Sequence, residues 1–272
     1  MSEEVSAPIS VTPLADPTRL SWRAGLAEYG PPALLVIGLL LLWEGLVWYW
    51  AVPAWLLPAP SQIAMTFVTS GLVLAEHTIA TLTVTIPGFA LALAAGFGLG
   101  VALDASPLLR RAVYPLLVTS QTVPIVAIAP LLVVGFGFGL LPKVLVVALI
   151  TFFPIVVNTI DGLQSADRDQ RRLLEAMGAN YWQLLRLLRL RAALPAIFTG
   201  IKVAITYSVI GAVLAEWIGA SAGLGVYIAR SLRAFRTDQV FVAALVTSLL
   251  TIVLFTLVSL LERWIVFWKG ER

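Results

Sequence analysis

Apolar residues along this chain run in long, nearly unbroken stretches, and the polar residues collect between them. A helix crossing the ~30 Å hydrocarbon core of a bilayer needs roughly 20 apolar residues. In lipid, only helices and closed barrels satisfy every backbone group. The stretches lack the two-residue alternation of a barrel strand, so they predict helices. Six spans are expected, at about residues 33–50, 79–103, 113–137, 141–160, 196–218 and 240–262. Residues 1–30 are polar and proline-bearing, with no apolar run ahead of a small-residue cleavage site; they are expected to be a cytoplasmic tail rather than a signal peptide. A membrane domain is expected over residues 31–265, interrupted by one long loop at 161–195, and a second short tail over 266–272. The fold class that follows is all-α and polytopic.

Proline and glycine mark where these helices depart from simple rods. The third span carries Pro115, Pro124 and Pro130, and the fourth carries Pro154. Proline removes a backbone donor and kinks a helix unless a neighbour takes up the freed carbonyl, so such breaks belong beside protein or a cavity. Gly96-Phe97-Gly98-Leu99-Gly100 and Gly135-Phe136-Gly137-Phe138-Gly139 each hold a small-xxx-small spacing, which predicts close helix packing. No strand precedes either cluster, which argues against a dinucleotide-binding loop.

Composition closes off other classes. Of 272 residues, 60% are hydrophobic and 12% charged, with mean hydropathy +0.95. A soluble domain carries about 25% charged residues. No cysteine is present, and His77 is the single histidine, which excludes disulfide, thiolate-metal and multi-histidine sites. No Gly-x4-Gly-Lys-Ser/Thr occurs and no catalytic set converges, so no catalytic, cofactor-binding or metal residue is assigned. The net charge of +3 has its meaning in its placement, not in a nucleic-acid partner. With both termini inside, cytoplasmic segments hold thirteen of the eighteen Lys and Arg residues, while Lys143, Arg230, Arg233 and Arg236 lie outside.

Polar residues inside the spans have two ordinary uses. Gln121, Thr122, Asn158, Tyr207 and Ser208 could line a path, or could bond between helices for about 0.6 kcal/mol each. Gln121 is the leading candidate because Pro124 opens the helix beside it. Glu44 and Glu216 lie toward the outer ends of their spans. They are the carboxylates an ion-coupled secondary transporter would use, but their position favours interfacial groups satisfied by backbone or water. His77 is expected to be solvated. Arg230, Arg233 and Arg236 recur every three residues, as on one helical face. They suit either acidic groups on a delivery protein or plain solvation.

The loop at 161–195 is the anomaly, because it is long, basic and patterned. Asp167 with Gln170 fits a capping box opening a short helix through Arg171–Met177, and Gly178 suits its end. Asn180 with Gln183 fits a second box, opening a helix through Trp182–Leu190. The apolar residues Leu173, Leu174, Met177, Tyr181, Trp182, Leu184, Leu185 and Leu188 are interleaved with arginines. Such a segment suits a lipid surface or a partner's groove. The sharp break at Gly178 favours the partner.

These residues carry a resemblance. Glu175-Ala-Met-Gly178-Ala-Asn-Tyr-Trp-Gln-Leu, followed by Ala193-Leu194-Pro195-Ala-Ile-Phe-Thr-Gly200-Ile-Lys202, resembles the cytoplasmic signature of ABC importer permeases. That signature reads Glu-Ala-Ala, three residues, Gly, nine residues, then Ile-x-Leu-Pro. Aligned on Gly178, Arg172 stands at the usual glutamate, Leu173 and Leu174 at the alanines, and Arg191 at the proline. Gln121-Thr-Val-Pro124-Ile-Val-Ala-Ile-Ala-Pro130, Gly137-Phe-Gly139-Leu-Leu-Pro142-Lys143 and Ala215-Glu216-Trp-Ile-Gly-Ala-Ser-Ala-Gly223-Leu-Gly225 resemble the nitrate/sulfonate/taurine-type branch. The likeness runs from about residue 55 to the C-terminus.

The resemblance implies a permease subunit in a bacterial inner membrane. It would work as a pair, expected to be a homodimer, with two copies of an ATPase subunit that binds ATP and magnesium, and with an extracytoplasmic substrate-binding protein. The loop would dock in a cleft of the ATPase, which assigns coupling to Leu173, Leu174, Ala176, Met177, Gly178, Ala179 and Trp182. Alternating access would carry a small polar solute past Gln121, Thr122, Pro124, Asn158, Tyr207 and Ser208. The branch handles small anions and the pyrimidine precursor of thiamine. Phe136–Lys143 and Ala215–Ser221 look more like its pyrimidine-precursor members.

Overall fold

A computed structural model describes residues 22–267, with side chains from residue 30 onward, and among the described residues the chain is all-helical. It falls into two units, divided after Val52. The first unit is described by α1 (Trp22–Tyr49), whose Gly30–Tyr49 portion is long and apolar enough to cross a bilayer. α1 begins at Trp22, inside the stretch expected to be tail, and runs through Pro31 and Pro32. The remaining calls on the tails, residues 1–21 and 268–272, lie outside the described residues. Glu44 accepts from the Trp48 indole, one turn away, at 2.8 Å.

The second unit begins with a short helix, α2 (Pro60–Thr69), and the long α3 (Gly71–Ala105). The third expected span is not one helix. α4 (Pro107–Ser120) and α5 (Ile125–Phe136) meet at 98° across residues 121–124. The sequence predicted a kink, but Pro124 has no N–H to continue the ladder and disfavours helical backbone in the residue before it, so the helix stops. α6 (Leu140–Gln164) follows, then the loop helix α7 (Arg168–Ala176).

The second loop helix is not free-standing. α8 (Tyr181–Leu184) passes through a π-turn (Leu185–Arg189) directly into α9 (Leu190–Glu216). The expected pair of short helices is therefore one short helix and the cytoplasmic extension of the fifth span. α10 (Leu224–Arg233) and α11 (Thr237–Ile265) complete the chain.

The core is α3, α6 and α9, held at close range by small residues. A Cβ at Gly88 would lie 2.6 Å from Val147, one at Gly96 3.0 Å from Ile155, and one at Gly100 2.7 Å from Thr159. The partner numbers rise together, so α3 and α6 run parallel. The first glycine cluster thus packs as the sequence predicted, through Gly96 and Gly100. The second does not: Gly135, in the last turn of α5, and Gly137 and Gly139, in the turn between α5 and α6, have nothing within 4 Å. On α9, Gly200 packs against Asn158, and Gly211 against Ile150, in antiparallel order. α11 is antiparallel to α9 in turn, with Val258 in the cluster of Phe198 and Ile205 and Glu262 bonded to Lys202.

This order decides how the bent pair is used. Two parallel core helices require the chain between them to return from one end to the other. α4 and α5 make that return as one broken span. Five unbroken helices, with this pair counted as one span, give up to six candidate crossings among the described residues. Arg110, Arg111, the loop arginines and Arg263 consequently gather at one end of the second unit, the arrangement positive-inside topology requires of the cytoplasmic side.

Candidate functional site

Beside the break in the third span lies a cleft of about 670 Å³. Gln121 and Pro124 line it from the α4–α5 corner, Phe153, Pro154 and Asn158 from α6, and Tyr207 from α9. Four of the six residues expected along a path therefore meet at one cavity. On α6, the Asn158 side-chain amide donates to the Pro154 carbonyl one turn back at 2.8 Å. Its carbonyl oxygen remains available to the cleft. Among the described residues lining it none is Asp, Glu, Lys or Arg.

The other two expected residues are placed elsewhere. Ser208 is fully buried and donates to the Ile205 carbonyl of its own helix at 2.7 Å. Thr122 donates to the Thr119 carbonyl at 2.8 Å and does not line the cleft. A hydroxyl within reach of the carbonyl three or four residues back bonds there by default.

At the cytoplasmic end, the loop presents a small apolar knob. Asp167 caps α7 by accepting from the Asp169 and Gln170 N–H groups at 2.9 and 2.8 Å. The helix closes in a full Schellman motif: Ala179 N donates to the Leu174 carbonyl, and Gly178 N to the Glu175 carbonyl, both at 3.0 Å. Gly178 has φ +83°, the left-handed conformation this motif needs. Asn180 and Gln183 form the reciprocal capping box over α8. Around the turn, Leu173, Met177 and Trp182 are 63, 74 and 63% exposed. Ala176 and Gly178 are also exposed, and Leu174 and Ala179 half-buried. Among the described residues, none of the second unit covers this apolar face. Arg171 pairs with Glu175 at 2.8 Å, and Arg172 stands 3.6 Å from Asp169.

Behind the knob sits an ion pair that sequence reading missed. Arg189, in the π-turn, contacts Asp104 near the end of α3 at 2.6 Å, with side chains only 10 and 2% exposed. Its Nε also donates to the Leu163 carbonyl of α6 at 3.1 Å. Breaking one side of such a buried pair costs about 3–5 kcal/mol. Periodicity could not find it, because the π-turn adds a residue to one turn and resets which positions face inward.

At the opposite end, three side chains receive three consecutive backbone donors at the start of α10. Gly223 N donates to His77 Nδ1 at 2.9 Å, Leu224 N to Thr81 Oγ1 at 2.9 Å, and Gly225 N to Glu216 Oε2 at 2.7 Å. The first N–H groups of a helix lack internal partners, and its positive end favours a carboxylate. His77 is therefore not merely solvated: it is half-buried and also packs on Tyr227, with ring centres 5.3 Å apart. Glu216 is 1% exposed and ties the 217–223 turn to α10, a structural task rather than ion carriage. Gly223, at φ +132°, leaves no room for a side chain beside the Glu216 carboxylate. The three outer arginines do not share one helical face. Arg230 and Arg233 end α10, while Arg236 lies beyond a turn and pairs with Asp238 at 3.6 Å.

Comparison with known proteins agrees with this arrangement. A family described as "Binding-protein-dependent transport system inner membrane component" matches residues 92–267. The formylaminopyrimidine transport permease protein ThiX of Halalkalibacterium halodurans is 39% identical over 242 residues, covering 89% of this chain and 96% of that protein. The riboflavin transport system permease protein RibX of Chloroflexus aurantiacus is 40% identical, covering 93% of each chain. The taurine transport system permease protein TauC of Escherichia coli is 28% identical, covering 93% of this chain and 95% of that one. The crystal structure of an amino acid ABC transporter with histidines shares the fold, with TM-score 0.57 at 16% identity, over 73% of this chain and 97% of that one. The chain belongs to the binding-protein-dependent transport inner-membrane components, the multi-pass permeases of ABC importers.

Proposed function

We propose that this permease passes a small, uncharged heteroaromatic solute, of the formylaminopyrimidine kind, through the cleft around Gln121. The coarser function is established by family: the chain is the membrane-spanning component of an importer for small solutes, dependent on a binding protein and on a separate ATPase subunit. That assignment replaces the ion-coupled secondary transporter. The observation supporting the finer reading is the cleft's lining. It offers the Gln121 and Asn158 amides, the Tyr207 phenol and the Phe153 ring, with no charged group among the described lining residues. Amides present a donor and an acceptor side by side, matching the edge of a pyrimidine, and aromatic rings match its faces. A sulfonate would leave an unpaired anion in a low-dielectric cleft. Two relatives near 40% identity, named for formylaminopyrimidine and riboflavin transport, add support.

In this reading two copies of the chain face each other across a central path, with both termini cytoplasmic. The apolar knob around Gly178 seats in the ATPase, and closure of the ATPase pair drives alternating access. The test is uptake by proteoliposomes holding the permease with its cognate ATPase and binding protein. ATP-dependent accumulation of labelled formylaminopyrimidine, not displaced by excess taurine, is the expected result. Accumulation of taurine that formylaminopyrimidine does not displace would overturn the substrate class and leave the transporter class intact.

A further inference from the structure

Arg189 occupies an unusual position. It lies in the π-turn that joins the loop to α9, between the knob and the rest of that span. Its guanidinium reaches two other core helices at once. Nη2 contacts Asp104 Oδ1 at 2.6 Å near the end of α3, and Nε donates to the Leu163 carbonyl near the end of α6 at 3.1 Å. Tyr181, the first residue of α8, has its hydroxyl 3.5 Å from the second Asp104 oxygen. Leu163 and Leu185 share a buried apolar cluster beneath these groups, with Ala193 and Ile197.

A single planar group therefore ties the base of the knob to the cytoplasmic ends of α3 and α6. Guanidinium geometry suits this, since its fixed fork offers donors in two directions and an ammonium does not. Arg186 and Arg191, nearby in sequence, are exposed, so burial singles out Arg189. Stability alone does not ask for this construction, because a well-packed apolar trio is commonly as stable as a buried ion pair. A rigid, directional link between elements that must move together is a use an apolar contact fills poorly.

We propose that Arg189 is a positioning residue for energy coupling: through Asp104 and the Leu163 carbonyl it makes α3, α6 and the knob one mechanical body. Displacement of the knob by the ATPase then shifts the inner ends of α3 and α6 directly, without relying on α9 to bend. This rests on the knob being the ATPase contact, and the experiment separates the two ideas.

Three permease variants are compared in reconstituted complexes with ATPase and binding protein: Arg189→Lys, the neutral pair Asp104→Asn with Arg189→Gln, and Trp182→Ala on the knob surface. Assembly is read by co-purification of the ATPase, and coupling by the number of ATP hydrolysed per solute imported. Arg189→Lys keeps the charge but loses the second arm, and the neutral pair leaves no unpaired buried charge. Both are expected to co-purify with the ATPase at more than half the native yield, while ATP consumed per solute rises at least fivefold. Trp182→Ala is expected to lower co-purification. A native ratio in both Arg189 variants would overturn the proposal. Failure of both to assemble would also overturn it, because it would make the pair a folding element. Normal co-purification of Trp182→Ala would instead sink the knob as the ATPase contact.

Discussion

Gly178 shows how one residue can shape an exposed apolar surface without packing against anything. A Cβ there would meet no atom within 4 Å, so substitution is not opposed by packing. Opposition comes from the backbone, since at φ +83° a residue with a side chain costs about 1–2 kcal/mol. Valine, branched at Cβ, is worse placed than alanine. Gly178→Val is expected to insert in the membrane at native levels, because no span is altered, but to displace Met177 and Trp182 from the knob. Co-purification of the ATPase and solute-stimulated ATP hydrolysis should both fall severalfold. Undiminished stimulated hydrolysis in the Gly178→Val complex would remove the knob from the coupling route. Gly178 was legible in the sequence because its cap follows from local chemistry. His77, Thr81 and Glu216 were not, since their shared partner, the start of α10, lies nearly 150 residues from His77. A clue was present: His77 and Thr81 are one turn apart on a helix, which aims both at the same neighbour.

At the scale of elements, long apolar stretches located every span, but the helices of the first, second, third and fifth begin six or more residues earlier than expected. What hydropathy could not give was the size of the 98° corner at residues 121–124, where the polar run Thr119-Ser120-Gln121-Thr122 interrupts the apolar stretch. Proline content signalled a disturbance there, and tertiary packing decided its size. The corner puts Gln121 at the end of α4, held by a bond from its own N–H to the Val118 carbonyl, and leaves its side chain at the cleft. The native chain has no cysteine, so Gln121→Cys introduces a single thiol. If the corner faces an alternating path, a water-soluble thiol reagent should label it in either the resting or the ATP-bound state, with at least a fivefold difference between the two. Equal protection in both states, in a complex that still transports, would make Gln121 structural and remove the cleft from the path.

For the whole molecule, charge and packing agree on one arrangement from independent grounds. The sequence argument used only the distribution of Lys and Arg between segments. The packing argument uses the parallel pairing of Gly88, Gly96 and Gly100 on α3 with Val147, Ile155 and Thr159 on α6. It also uses the ion pair bringing Asp104 beside Arg189. Both require α4 and α5 to cross the bilayer together. Were that pair a re-entrant loop, the corner at Ser106 and the turn at Gly139 would open on the same side. Single cysteines at Ser106, Gly139, Gly178 and Arg233 discriminate, using a thiol reagent that cannot cross the inner membrane. In sealed right-side-out vesicles, Gly139→Cys and Arg233→Cys are expected to react. Ser106→Cys and Gly178→Cys should react only after the vesicles are opened. Labelling of positions 106 and 139 from the same side would reduce the six crossings to five and dissolve the parallel core. With it would go the argument that one guanidinium can join three helices at the cytoplasmic end.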